Sequence, residues 1–130
     1  MRPKSEKGQA MVEFALLLPI LLLILSGIIN FGWIFGNQLL ANNVSREAAR
    51  YTAIHYYDSL TDDDRLIAEE IVAERAPTLV SPVVTLVKSA TGDSITVNVV
   101  CSVNLLTPLM SAMFPDGKYS VVAQCSMRLE

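Results

Sequence analysis

Gly8-Gln9-Ala10-Met11-Val12-Glu13-Phe14 opens an apolar run that continues to about Phe35, and this stretch decides how the rest of the chain is read. Before it lies a polar, basic leader, Met1 to Gly8. Within the run a single carboxylate, Glu13, stands near the mouth, and the next ionisable residue is Arg46. Val12 to Phe35 is about 24 residues, and as a helix it is roughly 36 Å long, enough to cross a bilayer with some tilt. A carboxylate costs on the order of 2.5–3.5 kcal/mol at the bilayer centre and less near the interface. Glu13 therefore stays at the headgroups or has a partner.

Charge gives the run a direction. The leader holds Arg2, Lys4 and Lys7 against Glu6, a balance of +2, and the whole chain carries −3, so the remainder carries −5. A positive flank inside and an acidic domain outside is the orientation that the positive-inside rule favours. An acidic remainder without a basic cluster argues against nucleic-acid binding. The run is longer than the hydrophobic region of a removable signal peptide, and no clean small-x-small site comes after it. No cysteine lies near it, which excludes a lipoprotein anchor.

The residues G-Q-A-M-V-E-F-A-L-L-L-P, with I-I-N-F-G and S-R-E-A-A-R-Y further on, resemble the start of TadE-like proteins. These are minor, pilin-like subunits of the tight-adherence (Tad, Flp-type) pilus machinery, related to type IV pili. The resemblance covers roughly residues 7–53. It implies cutting by prepilin peptidase after Gly8, which leaves Gln9 as the new N-terminus and Glu13 as the fifth residue. It also implies an assembly role for Glu13 and Phe14, the carboxylate pairing with the free amine of a neighbouring subunit. Such a pair attracts strongly where both charges are poorly hydrated. Other pilin subunits and the Tad assembly platform are the partners implied, with a role in adhesion or secretion. From the residues alone, Glu13 at the interface of an uncut membrane anchor is an equal reading.

Pro19 lies inside the span, where membrane helices tolerate proline, and a kink is expected near Leu16–Pro19. Gly32 and Gly36 form G-x-x-x-G, a spacing that serves close helix packing and also arises by chance. Trp33 suits the outer headgroup region. Past Gly36 the helix is expected to continue into solvent to about residue 57, with Leu40, Val44, Ala48, Tyr51 and His55 on one face. The division expected is a leader at 1–8, the transmembrane half of the helix at 9–36 and an extracytoplasmic head at 37–130. The protein is then single-pass in the cytoplasmic membrane, N-terminus inside.

Tyr56-Tyr57-Asp58-Ser59 breaks the pattern. A second helix opens at Thr61 or Asp62 with acidic residues at the positive end of its dipole, and ends at Pro77. Ile67, Ala68, Ile71, Val72 and Arg75 define its expected face. From Pro82 the period changes to two. Val83–Ser89, Ser94–Asn104 and Tyr119–Leu129 read as strands, with a turn at 90–93 and a helical turn expected at Pro108–Phe114. The fold class is α+β: a long N-terminal helix, a second helix and a three-stranded antiparallel sheet packed on them.

Cys101 and Cys125 are the only cysteines, both on apolar faces of neighbouring strands. Outside the cytoplasm a disulfide between them closes a loop of about 24 residues, worth roughly 2–4 kcal/mol; two buried thiols are the alternative. Two cysteines and one histidine make no zinc site. The chain has no nucleophile, P-loop, dinucleotide or metalloprotease motif. The expectation is a structural protein with no catalytic residue, no cofactor, no metal and no small-molecule substrate. The competing reading is an uncleaved bitopic protein whose outer domain binds a partner or ligand.

Overall fold

The computed structural model describes residues 6–56 and 60–129. Residues 1–5 of the leader, and most of the break expected at 56–59, lie outside the described residues. Helix α1 runs from Glu6 to His55, 50 residues, with Pro19 inside it. At 1.5 Å per residue it is about 75 Å long. Helix α2 comes next at Asp62–Arg75, then β1 at Val80–Lys88, β2 at Ser94–Asn104, the short α3 at Pro108–Ser111, a 3₁₀ turn at Pro115–Gly117, and β3 at Lys118–Arg128. The strands pair antiparallel in the order β1-β2-β3. The expected fold class is the one observed.

Local chemistry explains the element ends. Thr61 caps α2 in a capping box: its hydroxyl accepts from the Asp64 amide, and the Asp64 carboxylate accepts from the Thr61 amide at 2.9 Å. Three aspartates stand in that first turn, where the helix dipole favours them. The β1–β2 turn closes through the Gly92 amide on the Ser89 carbonyl at 2.9 Å. Gly92 takes φ +77°, which glycine adopts without a Cβ penalty. β1 begins at Val80 rather than Val83, because a bulge at Ser81-Pro82 sets Val80 opposite Ser102 and Val83 opposite Val100. Proline has no amide for the ladder, so a bulge near the end of an edge strand suits it.

The core lies between the inner face of the sheet and the outer half of α1. Ile95, Val97, Val99, Cys101 and Val103 of β2 and Val121 and Ala123 of β3 are buried, as their alternation predicts. Each branched aliphatic buried there contributes about 1.5–3 kcal/mol. From α2, Ala68 and Val72 are buried, while Ile67 and Ile71 are half-buried and Arg75 is exposed. Exposed Arg75 meets Glu47 of α1 at 3.2 Å.

The face expected on α1 holds at Val44 and Ala48 and needs correction elsewhere. Ala41, Val44, Ser45, Ala48, Ala49 and Thr52 are buried, while Leu40 and Tyr51 sit at the margin and His55 is exposed. The opposing strands are lined with valine and isoleucine, so the helix presents small residues there and approaches closely. The buried hydroxyls are satisfied within the helix, Ser45 on the Asn42 carbonyl and Thr52 on the Ala48 carbonyl, both at 2.9 Å.

Candidate membrane and assembly segment

Helix α1 divides by exposure. Every residue from Met11 to Leu25 is exposed, and Ser26 is the first buried side chain along the described part of the helix. Gln9 to Leu25 thus stands clear of the head, about 26 Å of helix. Joined to the apolar residues beyond Leu25, it is long and apolar enough to cross a membrane.

Glu13 projects from this clear part, and the Gln9 side chain donates to its Oε1 at 3.2 Å across one helical turn. Phe14 beside it is exposed. Pro19 leaves the helical assignment unbroken. Nothing lies within 4 Å of where a Cβ would stand on Gly32 or Gly36, so within this chain their surface is open. Gly8 lies inside α1, two residues from its first described residue.

Beyond Leu25 the head is bolted to the helix by polar residues. Asn30, almost fully buried, donates through Nδ2 to the Ser26 carbonyl at 2.9 Å and to the Thr107 hydroxyl. Its Oδ1 accepts from the amides of Leu106 at 2.9 Å and Thr107 at 3.4 Å. Two donors and two acceptor positions are therefore all engaged. The Thr107 hydroxyl also meets Ser26 Oγ at 2.6 Å. Thr107 is the N-cap of α3, yet its hydroxyl makes no capping bond, because the docking knot uses it. Further along, Trp33 Nε1 donates to the Asn104 carbonyl at 3.1 Å, and the Thr78 hydroxyl donates to Asn37 Oδ1 at 2.6 Å. Gln38 Nε2 donates to the Val122 carbonyl of edge strand β3 at 2.8 Å.

These contacts start at Ser26, eleven positions before the head boundary expected at position 37. Sequence reasoning misses Ser26, Asn30, Asn37, Thr78 and Thr107. The available signal is polar residues inside a membrane-length run: Ser26, Asn30 and Asn37 stand at i, i+4 and i+11, one side of a helix.

The cysteines lie on adjacent strands but do not face each other. Cys101 is opposite Val121 and Cys125 is opposite Val97. The offset is four ladder positions, about 13 Å at 3.3 Å per residue, whereas a disulfide needs Cα atoms within about 7 Å. The expected Cys101–Cys125 bridge is therefore corrected to two free thiols. Burial pushes the Cys101 thiol above its ordinary range.

At the opposite end of the head an open cleft of about 590 Å³ is lined by Arg50, Ala53, Ile54, Met127 and Arg128. The nearby His55 is occupied by Tyr51: Nδ1 lies 2.9 Å from that carbonyl and the two rings stack at 4.0 Å.

A helix that is bare from Gln9 to Leu25, carries one carboxylate in that stretch and is then bolted to a small head invites comparison with known families. Residues 8–50 match the family model of TadE-like protein. The resemblance read over roughly residues 7–53 is shown over residues 8–50. No curated protein and no solved structure matches the chain. The TadE-like match covers the bare helix, the half of the docking knot supplied by Ser26 and Asn30, and most of the helical face that packs on the sheet. It ends before α2, so the sheet and the connection carrying Thr107 fall outside it.

Proposed function

We propose that the chain is a minor pilin-like structural subunit of a Tad-type pilus machinery, anchored by α1 and processed by prepilin peptidase between Gly8 and Gln9. The observation that carries this reading is the placement of Glu13: a lone carboxylate near the start of a bare apolar helix, within the segment that matches TadE-like proteins. Its Oε1 accepts from the i−4 glutamine side chain, an exposed contact that a stronger cationic donor can displace. In this reading the donor is the new N-terminal amine of a neighbouring subunit. The rest of the bare helix then packs against other subunits, and further along α1 Gly32 and Gly36 are open for close approach. The leader's positive charge keeps the N-terminus in the cytoplasm, and the head lies outside the cytoplasmic membrane. The chain acts by assembly rather than catalysis, and its one histidine is already engaged by Tyr51.

The test is intact mass and N-terminal sequencing of protein taken from its native membrane, beside the Glu13→Ala variant. A chain beginning at Gln9, with assembly lost in Glu13→Ala, is the expected result. A chain that retains its leader, together with a silent Glu13→Ala, refutes the proposal and leaves an uncut bitopic protein.

A further inference from the structure

The connection between β2 and β3 is placed where an ordinary solvent loop has no reason to be apolar. From Leu105 to Pro115 it contains no ionisable residue. Leu106, Leu109 and Met113 are 54%, 47% and 69% exposed. The loop is fixed at the level of Ser26–Asn30 by the Thr107 knot, alongside the apolar run of α1. Between it and the helix lies an open apolar cleft of about 300 Å³, lined by Gly27, Phe31, Ile34, Met110, Phe114 and Tyr119 among others.

Length sets the depth. The hydrocarbon core of a bilayer is about 30 Å thick and takes about 20 helical residues. A span that keeps Glu13 at the inner edge reaches about Trp33. A span beginning as early as Gln9 still reaches past Ser26. Either way the bare helix up to Leu25 is too short alone, and the level of Thr107 falls inside the hydrocarbon in the first case and at its outer edge in the second. We propose that residues 105–115 form an apolar foot that seats in the leaflet on the head's side, with lipid acyl chains covering its exposed side chains and filling the cleft. This rests on the reading that α1 spans the membrane.

Two further observations fit lipid as the occupant. Polar groups at that depth need internal partners, and Asn30 and the Thr107 hydroxyl have theirs. Phe31 of α1 also shares the cleft with Met110 and Phe114 of the foot, and it is exposed like Leu25 and Ile28, which lipid covers in a spanning helix. The charged neighbours Asp116 and Lys118 come only where the chain turns back into β3.

The experiment uses the full chain in phosphatidylcholine–phosphatidylglycerol vesicles carrying lipids brominated near the headgroup or near the chain end. The single native tryptophan is removed by Trp33→Phe, and Leu21→Trp, Leu109→Trp or Val87→Trp is added, the last near the far end of the sheet. The expected result is bromine quenching at positions 21 and 109 at least twofold greater than at 87, with position 109 quenched best by the shallower bromines. Quenching at 21 but not at 109 overturns the foot and leaves the spanning helix intact. Absence of quenching at 21 overturns both. Shielding of position 109 from both bromine and aqueous iodide at every protein-to-lipid ratio points to a second protein and also overturns the proposal. Unmodified protein labelled by a lipid-dissolved diazirine supplies a readout independent of any substitution. Residues 105–115 are expected to label like 14–25, and labelling confined to α1 overturns the inference.

Discussion

Replacing Asn30 by alanine removes the centre of the knot that holds the head to the helix. The amide of Leu106 loses its acceptor at 2.9 Å and that of Thr107 loses a longer one at 3.4 Å. The Thr107 hydroxyl keeps Ser26 Oγ. A buried donor left without a partner costs about 1–3 kcal/mol, and the long second bond adds little, so the local cost is about 2 kcal/mol. The penalty falls on the connection, because the amides it orphans belong to residues 106 and 107, while β2 stays paired with β3 from Ser94 to Asn104 and with β1 between Ile95 and Ser102. The assay is native-state hydrogen exchange read by mass spectrometry on protein in detergent or lipid. At 1.4 kcal/mol per tenfold, exchange through local opening over residues 105–114 should accelerate about 30-fold, while β2 changes little. An unchanged rate over 105–114 refutes the idea that Asn30 holds the connection. Equal acceleration in β2 refutes the claim that the docking is a local unit.

Other substitutions probe the remaining joints. Thr61→Ala removes the cap of α2 and should cost about 1 kcal/mol, seen as faster exchange in the first turn of that helix. Ala48→Leu drives a larger side chain into a fully buried position facing the valine-rich sheet; a loss of about 1–3 kcal/mol in unfolding experiments is expected, and a neutral result denies the close approach. Alkylation of the unreduced, denatured protein should add label at both Cys101 and Cys125, and in the native state Cys125 should react first; a mass two daltons short, with neither thiol labelled, overturns the register argument. Because burial raises the Cys101 thiol, the unfolded state ionises at lower pH than the folded one. Its stabilising contribution is complete below the ordinary thiol range of about pH 8.5 and is lost as pH climbs through the higher folded value. Cys101→Val should therefore lose less stability than the native chain between neutral and strongly alkaline pH.

Much of this molecule is legible in one dimension, because its signals are local. Strand β2 can be read with its bounds and inward residues, since a period of two needs no knowledge of the neighbour. Thr61 and the aspartates announce α2 through capping chemistry, which acts within one turn. The bare start of α1, its lone Glu13 and the TadE-like pattern are likewise properties of a contiguous run. What the sequence cannot fix depends on which residues meet. The buried face of α1 is misread because periodicity ranks large apolar residues first, whereas the sheet selects Ala41, Ala48 and Ala49 for their smallness. The cysteines share a sheet face, but the ladder register, set along the whole length of β2 and β3, keeps them apart. Most of all, the joint between Asn30 and Thr107 links residues 77 positions apart. A polar residue in an apolar run shows that a partner is needed, and only the tertiary structure shows that the partner is the loop which brings the head down onto the helix.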